Sequence, residues 1–318
     1  MIEQPLLSVI IPVYRSESSI GMLVEELSSL AARIEGALEC IFVVDASPDN
    51  SRAELSNTLA SAKFASIVVD HSRNFGAFAS IRTGLELASG CYMGVMAADL
   101  QEPPHLMDQF LSTLRESDVQ VVVGVRKSRS GDKVGRRLTS STFWRIYRRF
   151  VLPTMPPGGV DVFACTSAVR DRLLQFREAN SSLIGLLFWL GYPTTSIPYD
   201  RQERAGGGAS AWTFRKKVTY MMDSIYSFTD LPLRILRGIG AFGLLTSVIV
   251  SVVVAVARWR GNIRVAGYTP LILALSISTM LVLSAVGIVG SYVWRAYENT
   301  KQRPLSIVER VERIDPKR

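Results

Sequence analysis

Cysteine and histidine are scarce in this chain, which has three cysteines and two histidines in 318 residues. Cys40, Cys91 and Cys165 lie far apart, a spacing that fits neither a zinc site nor a disulfide framework, so we expect buried free thiols in a reducing compartment. Two histidines are also too few for a histidine-based metal site. The N-terminus lacks a basic segment followed by an apolar core, so no signal peptide is expected.

Glycine-rich phosphate-binding loops are also missing. Neither G-x-G-x-x-G nor G-x-x-x-x-G-K-[ST] follows a strand-like run, which argues against the dinucleotide-binding and P-loop classes. Basic residues outnumber acidic ones: the chain has 36 lysines and arginines and 28 acidic residues, which gives a net charge of +8. This excess favours an anionic partner: a nucleotide, a phospholipid head group or a nucleic acid. Nucleic acid is least favoured, since the basic residues cluster near apolar segments rather than in one recognition helix.

Apolar, β-branched runs alternate with helical patterns in the N-terminal part of the chain. The runs lie at residues 6–14, 40–44, 67–69, 91–97 and 119–125. This alternation predicts a parallel α/β sheet with helices on both faces. Polar or charged residues follow each run, as expected at the sheet edge where ligands bind.

Asp99 follows the fourth run directly, and the Pro103-Pro104 pair after it predicts the start of a helix. A carboxylate at the end of a parallel strand is well placed to hold a divalent cation, which in turn can hold a diphosphate. The alternative is that Asp99 only caps the following helix. The neighbouring polar loops favour the metal-binding interpretation.

The segment after the fifth run combines arginines and aromatic residues at helical spacing over residues 136–150. Such a helix suits either the membrane interface or an ordinary packing position on the sheet, and the sequence favours neither. A short strand over 160–163 would present Asp161, followed by a helix over 183–190 and a strand over 194–199.

A glycine-rich loop occupies residues 199–212 and carries Arg201 and Arg204. Such a loop can close over a charged ligand, with its arginines paired to phosphate oxygens. The alternative is a flexible linker, which is less favoured because pure linkers rarely contain arginine and tryptophan among their glycines.

The C-terminal third is apolar. Residues 212–236 are amphipathic and interrupted by Pro232, which predicts a pair of helices along a membrane surface. Two uncharged runs, 238–257 and 269–294, are long enough to cross the hydrocarbon core as a hairpin, so both chain ends would lie on one side. Arginines outside the hairpin favour a cytoplasmic location for that side, whereas arginines in the 258–268 connection oppose it.

The motifs, taken in order and spacing, resemble one known family. The sequence is similar to the family 2 inverting glycosyltransferases of the polyisoprenyl-phosphate type, which include dolichol-phosphate mannose synthase and bacterial undecaprenyl-phosphate glucosyltransferases. The matching segments are S-V-I-I-P-V-Y at 8–14, D-A-S-P-D-N-S at 45–51, S-R-N-F-G at 72–76, A-D-L-Q-E-P-P at 98–104, G-V-R at 124–126, S-F-T-D-L-P-L-R at 227–234, and G-I-V-G at 287–290 through K-Q-R-P at 301–304.

The resemblance implies a GT-A type fold. We expect a Rossmann-like mixed α/β sheet with amphipathic interface helices, followed by a two-helix transmembrane hairpin. The implied division is a cytoplasmic catalytic domain at 1–211, interface helices at 212–237, two spans at 238–296 and a cytoplasmic tail at 297–318. The protein would be a multi-pass protein of the inner (plasma) membrane.

The resemblance also implies roles for individual residues. Asp99 would hold Mg²⁺ or Mn²⁺ on the donor diphosphate and act in catalysis with Arg126, which lies near it, and with Asp161 close to the acceptor. Arg201 and Arg204 would contact phosphate. The remaining expected contacts to the nucleotide sugar are Pro12, Tyr14, Glu17, Asp45, Asn74, Ala98 and Gln101.

The implied reaction is inverting transfer of a hexose from a nucleotide sugar, of the UDP-glucose or GDP-mannose type, to a polyisoprenyl (undecaprenyl) phosphate. The lipid-linked sugar would serve the modification of surface glycans in the cell envelope. Relatives suggest a homo-oligomer, a tetramer in some of them. A lipid phosphate is already a nucleophilic anion, so positioning matters more than a strong general base.

Several positions depart from the family pattern. Ala97 replaces the first aspartate of D-x-D, and Ala46 replaces the glycine of D-G-S. Phe163 and Ala164 stand where relatives often carry an arginine, and Ala211 stands where many have lysine. These departures motivate one alternative, a catalytically weak membrane scaffold of the same fold. A processive polysaccharide synthase is disfavoured, because Q-x-x-R-W is absent and two spans are few for a polymer channel.

Overall fold

The computed structural model describes residues 4–34, 38–127, 144–145, 147–149, 151–178, 181–202, 214–260 and 268–316. The strands are β1 Leu7–Val13, β2 Leu38–Val44, β3 Ala65–His71, β4 Tyr92–Val95, β5 Val121–Arg126, β6 Phe163–Thr166, β7 Thr194–Tyr199 and β8 Val308–Ile314. The helices are α1 Glu17–Arg33, α2 Ser51–Leu59, α3 Ala77–Leu87, α4 His105–Glu116, α5 Ser167–Leu173, α6 Leu183–Trp189, α7 Phe214–Phe228, α8 Leu231–Trp259 and α9 Tyr268–Thr300.

All eight strands form one sheet in the order β7-β5-β6-β4-β1-β2-β3-β8. The pairs β1–β2, β1–β4, β2–β3 and β5–β7 are parallel. Strand β6 runs antiparallel between β4 and β5, and β8 runs antiparallel along β3. The mixed GT-A type sheet is therefore confirmed, whereas the purely parallel sheet that alternation alone predicted is wrong.

Alternating side chains of the strands build a core on each face of the sheet. Val9 and Ile11 face the side covered by α1, α2 and α4. Ile10 points the other way, toward α3, α5 and α6. Because both faces are covered, the central strands are apolar at nearly every position, which is why they read as continuous hydrophobic runs.

One local prediction needs correction, and for a second segment the structure favours one of the two interpretations left open. The strand expected at 160–163 begins only at Phe163, because Gly158 and Gly159 turn with positive φ and Asp161 lies before the ladder starts. In the described part of 136–150, Tyr147 is buried in the core and Trp144 packs against it. That part therefore packs on the catalytic domain, with Arg148 exposed.

The helix pair expected along the membrane surface before the first span is also corrected. Helix α7 is separate, but residues 231–237 are the first turns of α8, the same helix that contains the predicted first span. Pro232 lies in the first turn of α8, where its missing N–H has no intrahelical partner to lose. It begins the helix instead of breaking it.

Helices α8 and α9 are long and apolar enough to cross a membrane, with candidate windows at Leu231–Val250 and Ile277–Thr300. Neither window is buried inside the protein. A core helix of a soluble protein would be covered on most sides, and neither of these windows is.

The segment predicted as a tail, residues 297–318, is partly structural. Helix α9 continues to Thr300, and β8 then adds an edge strand to the sheet. Arg52 of α2 fixes this strand, since its guanidinium bonds Asp70 of β3 at 3.0 Å and Glu312 of β8 at 2.5 Å. The chain thus leaves the domain through α8 and returns to it after α9.

Candidate active site

The site edge is marked by unusual backbone geometry. Arg15, Ala46 and Leu100 have φ of 54°, 48° and 56°, in the left-handed region that non-glycine residues seldom adopt. They lie just beyond the carboxyl ends of β1, β2 and β4, three neighbouring strands. Such conformations cost free energy and cluster at functional sites, so they point to this edge.

One half of the edge is formed by loops after β1 and β2. The carboxylate of Glu17 accepts hydrogen bonds from the backbone and side-chain nitrogens of Asn50, at 3.1 and 3.2 Å. In return, Asp49 accepts one from the backbone N–H of Glu17. Pro12 and Tyr14 lie half-buried beside them. Glu17 therefore joins two loops, in addition to any contact it makes with a ligand.

Asp45 has a different environment from the one expected for a nucleotide contact. Its buried carboxylate accepts hydrogen bonds from the Nδ1 of His71 at 2.9 Å and from the backbone N–H groups of Phe75 and Gly76 at 2.8 and 2.7 Å. Burial alone would raise the pKa of Asp45, but these three donors outweigh it and lower the pKa. The carboxylate is committed to the 72–76 loop, and Asn74 bonds its backbone carbonyl at 3.3 Å.

The same network continues toward the C-terminus. The Nε2 of His71 lies 3.0 Å from the hydroxyl of Thr83. That hydroxyl lies 2.8 Å from the hydroxyl of Ser306, in the segment that follows α9. The backbone N–H of Ser72 donates to the carbonyl of Ile307 at 3.1 Å. The loop after β3 is therefore bonded both to Asp45 and to the chain returning from the apolar helices.

The other half of the edge begins at β4. Asp99 is half-buried, and its Oδ1 accepts the backbone N–H of Gln101 at 3.3 Å. The carbonyl of the preceding Ala98 accepts the hydroxyl of Ser19 at 2.8 Å, which ties this loop to α1. The two halves are thus adjacent, as the pairing of β4 with β1 requires.

Arg126, at the end of β5, pairs with Asp161, which precedes β6. These residues meet because β6 is antiparallel, so its beginning lies beside the ends of β4 and β5. The hydroxyl of Tyr199, from the end of β7, lies 3.5 Å from the carboxylate of Asp161 and hydrogen-bonds Arg126. Burial lowers the pKa of Arg126 but the charge of Asp161 outweighs it, so its pKa is raised and it stays cationic.

Glu102 is a buried acid in this half that the sequence analysis did not single out. Its Oε1 lies 3.5 Å from the hydroxyl of Tyr199 and 3.9 Å from the Nε of Arg201. Its Oε2 has no hydrogen-bond partner among the described residues. Burial, and then the charges of Asp161 and Asp99, raise the pKa of Glu102 to about 7, with Arg201 and Arg126 offsetting part of the rise.

Arg201 is anchored at the start of the glycine-rich segment. Its guanidinium donates to the side-chain carbonyl of Gln101, and the backbone N–H of Gln202 donates to the backbone carbonyl of Gln101 at 2.9 Å. Arg204 and Ala211 lie outside the described residues. The described part of the segment is therefore attached directly to the loop that carries Asp99.

Most of the predicted site residues meet along one sheet edge, in two adjacent groups. The first group comprises Pro12, Tyr14, Glu17, Asp45 and Asn74, and the second comprises Ala98, Asp99, Gln101, Arg126, Asp161 and Arg201. Glu102, Tyr199 and His71 were missed. The position of Glu102 three residues after Asp99 was the available signal, whereas His71 gave none beyond its position at a strand end.

A divalent metal would have one carboxylate, Asp99, in the place that the family pattern assigns to it. The described residues contain no group of three acidic, histidine or cysteine side chains arranged to hold a metal ion. This fits Mg²⁺ or Mn²⁺ that is shared with a substrate, since Mg²⁺ commonly takes one or two carboxylates together with phosphates and water.

The fold is shared with known sugar-transferring enzymes. Glucosyl-3-phosphoglycerate synthase from Mycobacterium tuberculosis, solved with Mn²⁺, UDP-glucose and phosphoglyceric acid, superposes with a TM-score of 0.50 at 13% identity, covering 70% of this chain and 78% of that one. That similarity shows the fold. The sheet and the strand order of this chain thus belong to the GT-A type of fold.

Sequence comparison gives the family. Residues 8–176 match glycosyl transferase family 2. CsbB of Bacillus subtilis (strain 168), whose name assigns it to the glycosyltransferases, is 31% identical over 307 residues, which are 96% of this chain and 92% of CsbB. A prophage bactoprenol glucosyl transferase homolog of Escherichia coli (strain K12) is 26% identical, covering 96% and 99% of the two chains. The chain belongs to glycosyl transferase family 2 and is an enzyme of that class.

Proposed function

We propose that this glycosyltransferase moves a hexose, with inversion, from a nucleotide sugar to a polyisoprenyl phosphate at the cytoplasmic face of the plasma membrane. The main support for the proposal is that one chain contains both a charged site at the sheet edge and two apolar helices. A cationic group of Arg126 and Arg201 lies beside Asp99 at the sheet edge, and the same domain continues into two unburied apolar helices. The bactoprenol name of the Escherichia coli relative supports the lipid acceptor.

The charges of the site suit transfer between two phosphorylated substrates. An acceptor phosphate oxygen forms a bond to the anomeric carbon while the bond from that carbon to the nucleoside diphosphate breaks, so negative charge grows on the departing diphosphate. Arg126, held in place by Asp161 and Tyr199, can face that charge, and so can Arg201. A divalent ion on Asp99 would supply further charge stabilisation.

The two groups along the edge divide the donor between them. We assign the nucleoside to the loops after β1, β2 and β3, where Tyr14 and Asn74 remain accessible. We assign the diphosphate to the Asp99 side, because Arg126 and Arg201 lie there beside the carboxylate that would hold the metal. In this proposal Asp45 acts indirectly by shaping the 72–76 loop, instead of contacting the base itself.

The orientation proposal rests on the returning chain. Since β8 pairs with β3 of the catalytic domain, the beginning of α8 and the end of α9 both lie near that domain. A hairpin is the simplest arrangement of two crossing helices that meets this condition. The catalytic domain and the segment after α9 would then both be cytoplasmic. A homo-oligomer stays a prediction.

The deciding experiment is transfer of radiolabel from a panel of nucleotide sugars to undecaprenyl phosphate, using full-length protein in detergent with Mg²⁺, Mn²⁺ or EDTA. We expect one donor to be used, transfer to require metal, and Asp99→Asn to lower the rate by about a hundredfold or more. Asp118→Asn, an exposed acid of the same domain, serves as the matched control. Nucleotide binding without any transfer would instead favour the scaffold alternative that Ala97 motivates.

A further inference from the structure

The catalytic domain carries an aromatic pair of one half-buried ring, Phe176, and one exposed ring, Trp189. The ring centroids of Phe176 and Trp189 lie 5.4 Å apart with an angle of 88° between the planes. Trp189 ends α6 and is 60% exposed, although every preceding residue of that helix is buried. Exposing the last and largest side chain of a buried helix leaves apolar area in contact with water, so a covering partner would be favourable.

Helix α7 shows where the Phe176–Trp189 pair lies relative to the first apolar helix. Gly185, one helical turn before Trp189, leaves room for the ring of Phe228, because a Cβ at this position would overlap that ring. Ile225 and Phe228 of α7 pack on the core that contains α6. Phe228 lies three residues before α8 begins at Leu231. Trp189 is therefore close to the point where the chain passes into its first apolar helix.

The C-terminal end of α9 independently shows that the pair lies near the second apolar helix. Glu178, two residues after Phe176, lines a cavity of about 250 Å³ together with Tyr226 of α7 and with Tyr292 and Arg295 of α9. Arg295 bonds Asp223 at 2.7 Å, which fixes α9 to α7 at this level. The aromatic pair is thus flanked by the domain-proximal ends of both apolar helices.

Those helix ends have the composition of a membrane–water interface. Tyr226 and Tyr292 stack edge to face with centroids 5.1 Å apart. On another face of α9, Trp294 and Tyr297 are exposed, and Lys301 lies over both rings. Aromatic rings with nearby cations are enriched where helices leave the hydrocarbon core. A membrane surface that lies at the level of these aromatic rings would also contact Trp189.

We propose that Phe176 and Trp189 form a lipid-contacting anchor, through which the catalytic domain rests on the head-group region of the bilayer. This inference rests on the membrane anchoring in the proposed function. A flexibly tethered domain would sample many heights above the membrane, whereas a second contact fixes the height of the active-site edge. Because the phosphate of a lipid acceptor stays at head-group depth, a fixed height of the active site should favour binding of that acceptor.

The test places a fluorophore at one position at a time in full-length protein reconstituted into vesicles. Cys91 is exposed, contrary to the expectation that the thiols are buried, so Cys91→Ser removes it; Cys40 and Cys165 are buried as expected. Bimane is then attached at Trp189→Cys, at Met22→Cys or at Leu283→Cys, all of which replace exposed residues. Met22 lies on α1, across the sheet from α6, and Leu283 lies within the second candidate span.

Nitroxide lipids labelled near the head group should quench the probe at Trp189→Cys strongly and the probe at Met22→Cys weakly, while deep nitroxides should quench Leu283→Cys. Equal, weak quenching at 189 and 22, with Leu283→Cys still quenched, would overturn the anchor alone. If the probe at Trp189→Cys is weakly quenched by lipid nitroxides but is also shielded from aqueous iodide, a second protein copy covers this position instead of lipid. An unquenched Leu283→Cys probe would overturn the membrane anchoring and this inference with it.

Kinetics provide a second readout. Trp189→Ser combined with Phe176→Ser should raise the apparent KM for the lipid acceptor several-fold and leave the KM for the nucleotide sugar unchanged. Met22→Ser is the matched control, and Trp189→Phe should restore most of the acceptor affinity. Equal changes in both KM values would indicate a general structural role and count against the anchor.

Discussion

The hydroxyl of Ser306 lies 2.8 Å from that of Thr83, which joins the segment after α9 to helix α3 of the catalytic domain. Through His71, this contact reaches Asp45, whose carboxylate holds the 72–76 loop. Asp45 accepts from His71 Nδ1, and the contacts of His71 with Thr83 and of Thr83 with Ser306 continue this network without a gap. The loop assigned to the nucleoside is therefore supported by the chain that returns from the apolar helices.

Thr83→Val should test this support. Valine has nearly the same shape but lacks the hydroxyl, so His71 Nε2 and Ser306 would each lose a buried partner. We expect the free energy of unfolding to fall by about 1–3 kcal/mol and nucleotide affinity to fall with it. Denaturant unfolding and nucleotide titration of the same sample measure both. Thr113→Val is the control, since its hydroxyl bonds only the carbonyl of Gln109 in its own helix; an equal loss there would contradict the prediction.

Removing β8 should destabilise the catalytic domain. Deletion of residues 308–318 exposes the edge of β3 and removes Glu312, one of the two acids that Arg52 contacts. We expect Tm to fall by about 5–10 °C, since each kcal/mol corresponds to about 2–4 °C in a domain of this size. Deletion of residues 316–318 alone leaves the strand intact and should have little effect on Tm. A mere tail would give the same Tm for both deletions.

The sheet was predictable where burial on both faces made a strand apolar throughout, as in β1 and β2. Strand β8 was not predictable in this way, because its sequence V-E-R-V-E-R-I has no two-residue alternation and most of its side chains are exposed. What specifies β8 is the unpaired edge of β3 together with Arg52, which is 260 residues distant from Glu312 in sequence. Such a long-range pairing leaves no local signal.

In the active site, too, some features were predictable from local sequence and others depend on long-range contacts. Asp99, Arg126 and Arg201 were predictable because each follows a strand, and the ends of parallel strands meet at one edge. The pairing of Arg126 with Asp161 depends on the antiparallel direction of β6, for which the local sequence gave no signal. The burial of Glu102 beneath Tyr199 depends on residues 97 positions apart, so residue type alone could not reveal it.

Glu102→Gln should change how stability depends on pH. The folded pKa of Glu102 is raised to about 7 from 4.5, so between these values the folded protein holds a proton that the unfolded chain has released. The stability that this proton contributes is full below about pH 4.5 and is lost as pH rises toward 7. The variant lacks this loss, and its stability relative to the wild type should therefore increase with pH over that window, by up to about 3 kcal/mol.

Urea unfolding at a series of pH values between 4 and 8 measures that difference. Glu116→Gln, an exposed acid at the end of α4, is the control and should follow the wild type at every pH. A Glu102→Gln curve parallel to the wild-type curve would show that folding does not raise the pKa of this carboxyl and would contradict the prediction.

Tyr199→Phe should separate positioning from binding in the active site. The hydroxyl of Tyr199 bonds Arg126 and lies 3.5 Å from both Asp161 and Glu102, so its removal leaves the guanidinium less constrained while the ring still fills the core. We expect kcat to fall by about tenfold, with the KM for the donor little changed, because Arg126 would act mainly on charge that develops during transfer. Tyr92→Phe, at the opposite end of β4, should leave kcat unchanged. A rise in donor KM at constant kcat would instead place Arg126 in ground-state binding of the diphosphate.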